Sequence, residues 1–376
     1  MRKFYKAMLA AFFSFAAAPL FAQDSHSLDL TVDGVGISIG DSRKVTGLRL
    51  NFRDRRMEEV NGINATIWVP HEHSRGGTVN GLALGLPATG AGRINGFAVG
   101  IIGVGAEESI RGLALGGIGM GVGEDMRGIA AGGIGMGIGE DMRGVAIGGI
   151  GMGIGQDLRG LAIGGIGMGI GRDLRGIAIG GIGGGIGEDM VGLAAGGIGV
   201  GVGGSAKGLV LGGVGAGIGS DMAGIAIGGI GVGVGGSMKG VSITGIGLGA
   251  GGDVTGIQLA GIGIGAGGTL KWVSVAGAGI GASRIEGFAA ASAVGAEQVR
   301  GVVLAPIYFK IANHGRMKGM NISAYNNVRG TQQGLAIGIF NYARTLDGLQ
   351  LGILNYAGNK SRGTRLLPLV NFARGK

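Results

Sequence analysis

Across residues 111–270, large apolar residues alternate with glycine or alanine, and the alternation restarts every sixteen residues. RGIAAGGIGMGIGEDM, residues 127–142, shows the unit. Its opening position falls at Arg111, Arg127, Arg143, Arg159, Arg175, Val191, Lys207, Ala223, Lys239 and Thr255. Counted from there, large residues occupy positions 3 and 5, then 8, 10 and 12. A period of two predicts strands. A helix is disfavoured, because each interior glycine costs roughly 1 kcal/mol relative to alanine. The parity of the large residues changes across the Gly-Gly pair at positions 6 and 7, which predicts a corner. The Glu-Asp-Met-Arg segment predicts a second corner.

Two strands and two corners per sixteen residues describe one coil of an all-β solenoid, the fold class expected here. Coils stack at about 4.8 Å, so ten extend roughly 48 Å. Ile, Met and Leu are expected to form continuous internal columns, since no coil buries its apolar side without neighbours. The outside of the central coils would then be nearly bare Gly and Ala, and Lys at Gly135 and Gly137 would leave folding intact. The alternative is a transmembrane β-barrel: positions 2–13 read as one strand of about twelve residues, and membrane strands need about 9–11. The change of parity and the sameness of every turn weigh against it.

Residues 1–22 read as a secretory signal. Arg2, Lys3 and Lys6 precede an apolar run, and Leu20-Phe21-Ala22 leads into Gln23-Asp24-Ser25. Residues 23–110 read as an N-terminal cap and degenerate repeats, with strand-like alternation at Val45–Phe52, Val60–Thr66 and Val79–Gly85. Residues 111–270 hold the ten regular repeats. Residues 271–376 continue as degenerate repeats and a basic cap, and aromatics return there after none between Arg111 and Lys271. Asn341, Asn355 and Asn371 recur in Phe-Asn-Tyr-Ala, Leu-Asn-Tyr-Ala and Val-Asn-Phe-Ala, a spacing that predicts stacked amides bonding along the coils.

Gly334-Leu335-Ala336-Ile337-Gly338-Ile339-Phe340-Asn341 and Gly348-Leu349-Gln350-Leu351-Gly352-Ile353-Leu354-Asn355 resemble the G-L-Q-[IL]-G-[LIV]-x-N units of bacterial surface-repeat proteins. Gly47-Leu48-Arg49-Leu50-Asn51 is similar to the segment that opens their repeats. The likeness covers roughly residues 45–66 and 300–376. The central block departs from it, with Gly in place of Asn and a strict period of sixteen. The resemblance implies an exported cell-envelope repeat protein and supplies no catalytic residues.

Charge is uneven. Residues 111–286 hold ten basic and eleven acidic residues, whereas residues 287–376 hold eleven basic and two acidic. That basic end suits an anionic surface, or simply a solvated end of the stack. The chain has no cysteine, so disulfides, thiolate nucleophiles and Cys-based zinc sites are excluded. The repeated Gly-x-Gly-x-x-Gly strings are not a dinucleotide fingerprint, which stands once between a strand and a helix. His71-Glu72-His73 has metal-ligand types but follows Trp68-Val69-Pro70 and reads as a surface loop. Asp125, Asp141, Asp157, Asp173 and Asp189, with Asp221 and Asp253, would form a column beside Arg111, Arg127, Arg143, Arg159 and Arg175. Such a column either pairs with the arginines or offers weak divalent-cation sites.

No catalytic, cofactor-binding or metal-binding residue is assigned, no cofactor is implied, and no nucleic-acid partner is expected. The expectation is an exported, non-enzymatic scaffold of the cell envelope of a diderm bacterium, in the periplasm, outer membrane or at the cell surface. Its partner there is unspecified and membrane association is open. The rival functions are an outer-membrane pore or anchor and a glycan-active solenoid enzyme, which lacks the paired acids of a groove.

Overall fold

The structure is a computed structural model that describes residues 27–70 and 76–374. The signal-like run at 1–22 and His71-Glu72-His73 lie outside the described residues. The chain divides into two compact units, residues 1–148 and 149–376.

In the second unit each regular coil has a seven-residue strand, such as Leu158–Gly164, and a four-residue strand, such as Gly167–Ile170. Equivalent strands pair in parallel at sixteen-residue register: Arg159 lies beside Arg175, Ile163 beside Ile179, and Met152 beside Met168. The corner between the strands joins the ladder, since Ile166 N donates to Ile150 O at 2.8 Å and Ile182 N to Ile166 O at 2.7 Å. The first unit repeats the scheme, with Met126–Gly132 beside Met142–Gly148 and Gly119–Val122 beside Gly135–Ile138. Parallel, in-register coils make a β-solenoid. The barrel alternative is thereby corrected, because a membrane barrel of this kind pairs each strand antiparallel to its chain neighbours.

Glycine at position 2 shows why the coils stack closely. Gly176 and Gly192 have φ of 141° and 133°, a region other residues rarely occupy. A Cβ on Gly192 would collide with the carbonyl oxygen of Gly176 directly beneath. In the second unit this column runs from Gly160 to Gly256 and is broken at Trp272, whose φ is 81°.

The interior is narrower than the sequence suggests. Positions 16 and 4 of the long strand face inward, as Leu174 and Ala178 do, both fully buried. Positions 10 and 12 of the short strand meet them, as Met168 and Ile170 do. The expectation that every large residue points inward is overturned for positions 3, 5 and 8. Ile177 is 42% exposed, Ile179 38% and Ile182 48%. Positions 1, 3 and 5 share one side of a strand, and burying an unpaired arginine column at position 1 would cost several kcal/mol per charge. Arg therefore turns outward and takes its strand neighbours with it, while alanine fills the slot between the ladders.

The outermost described strand of each unit departs from the parallel scheme. Ser27–Val32 pairs antiparallel with Val35–Gly40, and Leu366–Ala373 pairs antiparallel with residues 348–356.

Candidate functional site

At the acidic corner the Asp column holds the stack together. Asp189 N donates to Asp173 Oδ1 at 3.1 Å, and Ser205 N to Asp189 Oδ1 at 2.8 Å. Ser237 N donates to Asp221 Oδ1 at 2.7 Å, Asp253 N to Ser237 Oγ at 3.3 Å, and Thr269 N to Asp253 Oδ1 at 2.7 Å. Each side chain thus satisfies a backbone N–H that the corner leaves without a ladder partner. Ser205, Ser237 and Thr269 belong to this column, and the acid-only reading of the sequence missed them. Their shared position 15 in the repeat is the signal that finds them. After five successive aspartates, the alternation of Asp with Ser or Thr from Asp189 to Thr269 separates like charges that would otherwise stack. The hydrogen bond from Thr269 N, with Lys271 and Arg284 adding attraction, holds the Asp253 carboxyl below its ordinary value of 3.8.

The arginines pair with the same corner. Arg127 lies 3.6 Å from Asp125, Arg143 3.7 Å from Asp141, and Arg172 3.3 Å from Asp157. These are surface pairs worth at most about 1 kcal/mol each. Among the described residues, no three His, Asp or Glu side chains converge as a metal site. The carboxylates of the column serve backbone N–H groups and arginines, which is a structural use.

Two polar networks lie inside the stack. In the first unit Arg49 is fully buried and donates to Asp54, to Asn64 Oδ1 at 2.8 Å, to Asp41 Oδ1 at 3.0 Å and, through Nε, to Ser42 O at 3.0 Å. Asp54 also accepts from Asn51, from Asn64 at 3.2 Å and from Thr66 at 2.7 Å. The charge pair is saturated with bonds, the condition under which burial is tolerated. In the second unit Asn326 Nδ2 donates to Asn341 Oδ1 at 2.5 Å, and Asn341 Nδ2 to Asn355 Oδ1 at 2.7 Å. Asn371 joins through its bond to Asn355 O at 3.2 Å. Of the ladder expected from the sequence, Asn341 and Asn355 bond amide to amide while Asn371 reaches backbone oxygen only; all three are buried, and Gln350 donates to Gln332 at 2.9 Å in a second row.

From residue 284 onward basic side chains gather on the strands. Arg284, Gln298 and Arg316 stand in one column, and Glu286, Arg300 and Lys318 in the next, two residues along the strand. These side chains line a concave patch of about 280 Å³. Arg284 reaches Glu286 at 3.8 Å, which leaves Arg300, Arg316 and Lys318 in excess. Arg300 lies directly beside Lys318 in adjacent coils, a like-charge neighbour that destabilises a sheet. Trp272, exposed and in left-handed backbone, sits one coil before this patch, beside Gly287. A bulky residue in that region is a strained outlier, and such strain clusters at functional positions.

The regular coils present two sides of different character. On the long-strand side, positions 3 and 5 present columns rich in isoleucine and leucine, and position 8 presents another at the corner. On the short-strand side, position 11 is glycine in coil after coil. An added Cβ at Gly137 in the first unit, or at Gly169, Gly201 and Gly233 in the second, would meet open space. The bare glycine exterior expected from the sequence exists on this side alone. No helix among the described residues is long and apolar enough to cross a membrane. No protein-family model, curated protein or solved structure matches this chain, so the reading of its function rests on these surfaces.

Proposed function

We propose that the chain is exported to the envelope of a diderm bacterium and serves there as a non-enzymatic scaffold, attached through the basic patch to an anionic surface. The observation that carries the scaffold reading is the use of polar groups. Coil after coil, carboxylates, hydroxyls and amides hold the stack rather than converge on a cleft. Export is supported by the charged start, apolar run and Leu20-Phe21-Ala22 junction of residues 1–22.

Attachment is supported by Arg300, Arg316 and Lys318, three cations crowded within two coils, with Glu286 as the acid lining the same patch. Anions such as phosphate or carboxylate groups would relieve that repulsion, and guanidinium forks suit them.

Fractionation of cells tests both parts. The chain is expected in the envelope fraction and is expected to leave it in a salt wash, because surface charge attraction is screened within about 10 Å at 0.1 M salt. Replacing Arg300 and Lys318 with Gln should bring release at lower salt. Recovery of the chain with cytoplasmic proteins would sink the proposal. Retention until detergent is added would replace the electrostatic attachment with burial in lipid.

A further inference from the structure

Trp272 breaks a rule that the coils around it keep. In the second unit position 2 is glycine from Gly160 to Gly256, with φ between 128° and 141°, and again at Gly287, Gly301, Gly319 and Gly334. Trp272 takes the same place with φ 81° and leaves 67% of itself in water. Glycine would hold such a backbone without strain. A bulky residue there strains the chain and gains little from the core, so its use lies in what the indole meets outside. Its surroundings indicate what that is. Arg300 and Lys318 at position 1, with Arg316 two residues before Lys318, are exposed on the outward side of the strands. Phe288, Val302 and Met320 at position 3, each partly exposed, form an apolar row on the same side. Trp272 stands beside Gly287, between the two rows and one coil before them. Residues 284–320 hold five basic and two acidic residues.

We infer that this patch binds the phosphate-bearing headgroups of a lipid bilayer, with Trp272 inserted among them. The inference rests on the anionic attachment proposed above and names its partner. A soluble anionic polymer engages the cations and leaves the apolar row in water. A headgroup layer takes both: the cations meet phosphates, and the indole sits where apolar and wet zones adjoin. Arginine suits the phosphates because its fork bonds two oxygens at once. Insertion is shallow, since one indole and three smaller side chains reach only the headgroup region. Charge and apolar contact act as two weak signals that hold together and fail apart. Release by salt therefore remains the expectation.

The chain has two tryptophans, so Trp68→Phe leaves Trp272 as the sole reporter. With vesicles of equal parts phosphatidylglycerol and phosphatidylcholine, its emission is expected to shift to the blue and to return when salt is added. With phosphatidylcholine alone it should not move. Trp272→Gly restores the glycine column, should keep the far-ultraviolet circular dichroism spectrum, and should weaken cosedimentation with the anionic vesicles several-fold. Arg300→Gln together with Lys318→Gln should weaken it roughly 25-fold, at about fivefold per charge. Alginate, a soluble acidic polysaccharide, should leave the emission where it is. Cosedimentation with unshifted emission and no effect of Trp272→Gly overturns the inference and leaves electrostatic attachment standing. A shift with alginate but none with vesicles assigns the patch to an acidic glycan and overturns it as well. Binding to neither probe sinks the anionic attachment itself, and the inference with it.

Discussion

Single residues show how one repeat position acquires a structural duty. Asp253 accepts the Thr269 backbone N–H at 2.7 Å, and the charged carboxylate is the better acceptor. Its carboxyl is held below 3.8, so the folded state binds this proton more weakly than the unfolded chain does. The sign follows from linkage. The contribution is fully present above the unfolded carboxylate value and is lost as pH falls through the lower folded value. Comparing thermal unfolding of the wild type and Asp253→Asn from pH 5 to pH 2 should therefore show the wild-type advantage shrinking below about pH 4. A constant difference across that range would assign the effect to shape rather than charge. Exposure keeps the effect small. The same column was legible in the sequence as a row of aspartates, but its use was not. A carboxylate that binds a cation and one that caps an N–H leave the same letter at position 15.

At the scale of the element, the two sides of one seven-residue strand carry nearly the same residue types with different consequences. Leu174 is fully buried between the ladders, whereas Ile177, three residues on, is 42% exposed. Leu174→Ala should cost about 3 kcal/mol, because the loss of buried methyl groups and the cavity left behind add together. Ile177→Ala should cost less than about 1 kcal/mol in a monomer, since half of its surface already meets water. Urea unfolding of the two variants separates the sides, and equal losses would contradict the assigned orientation. Strand, corner and coil length were all legible, because alternation fixes the strand and the Gly-Gly pair fixes the corner. The inward side was legible only through Arg159 and Arg175, whose parity matches positions 3 and 5. Hydrophobicity alone pointed the other way.

For the molecule as a whole, a stack of parallel coils has open backbone edges, and such edges invite pairing with another chain. In the second unit Leu366–Ala373 covers residues 348–356 in antiparallel register. It carries Pro368, which has no N–H to offer, and Leu369 in left-handed backbone at φ 64°. Lys360 Nζ pins this strand through Asn371 Oδ1 at 2.8 Å and Phe372 O at 3.0 Å. Removing residues 366–376 should uncover the strand beneath and produce association that grows with concentration. Light scattering of the truncated and full-length chains checks this, and equal association of the two would show that the strand has no protective role.

The sequence by itself determined the period, the strands, both corners and the parallel stack. Glycine at position 2 admits the φ the coil requires, and a Cβ there would strike the coil below. It also determined that the basic excess gathers after residue 286. Only the tertiary structure decided which side of each strand lies within. An alternating strand is compatible with either side, and the choice depends on the width of the slot between the two ladders and on where the position 1 cations find water. A narrow slot takes alanine, methionine and the position 16 residues, and it leaves three columns of isoleucine outside.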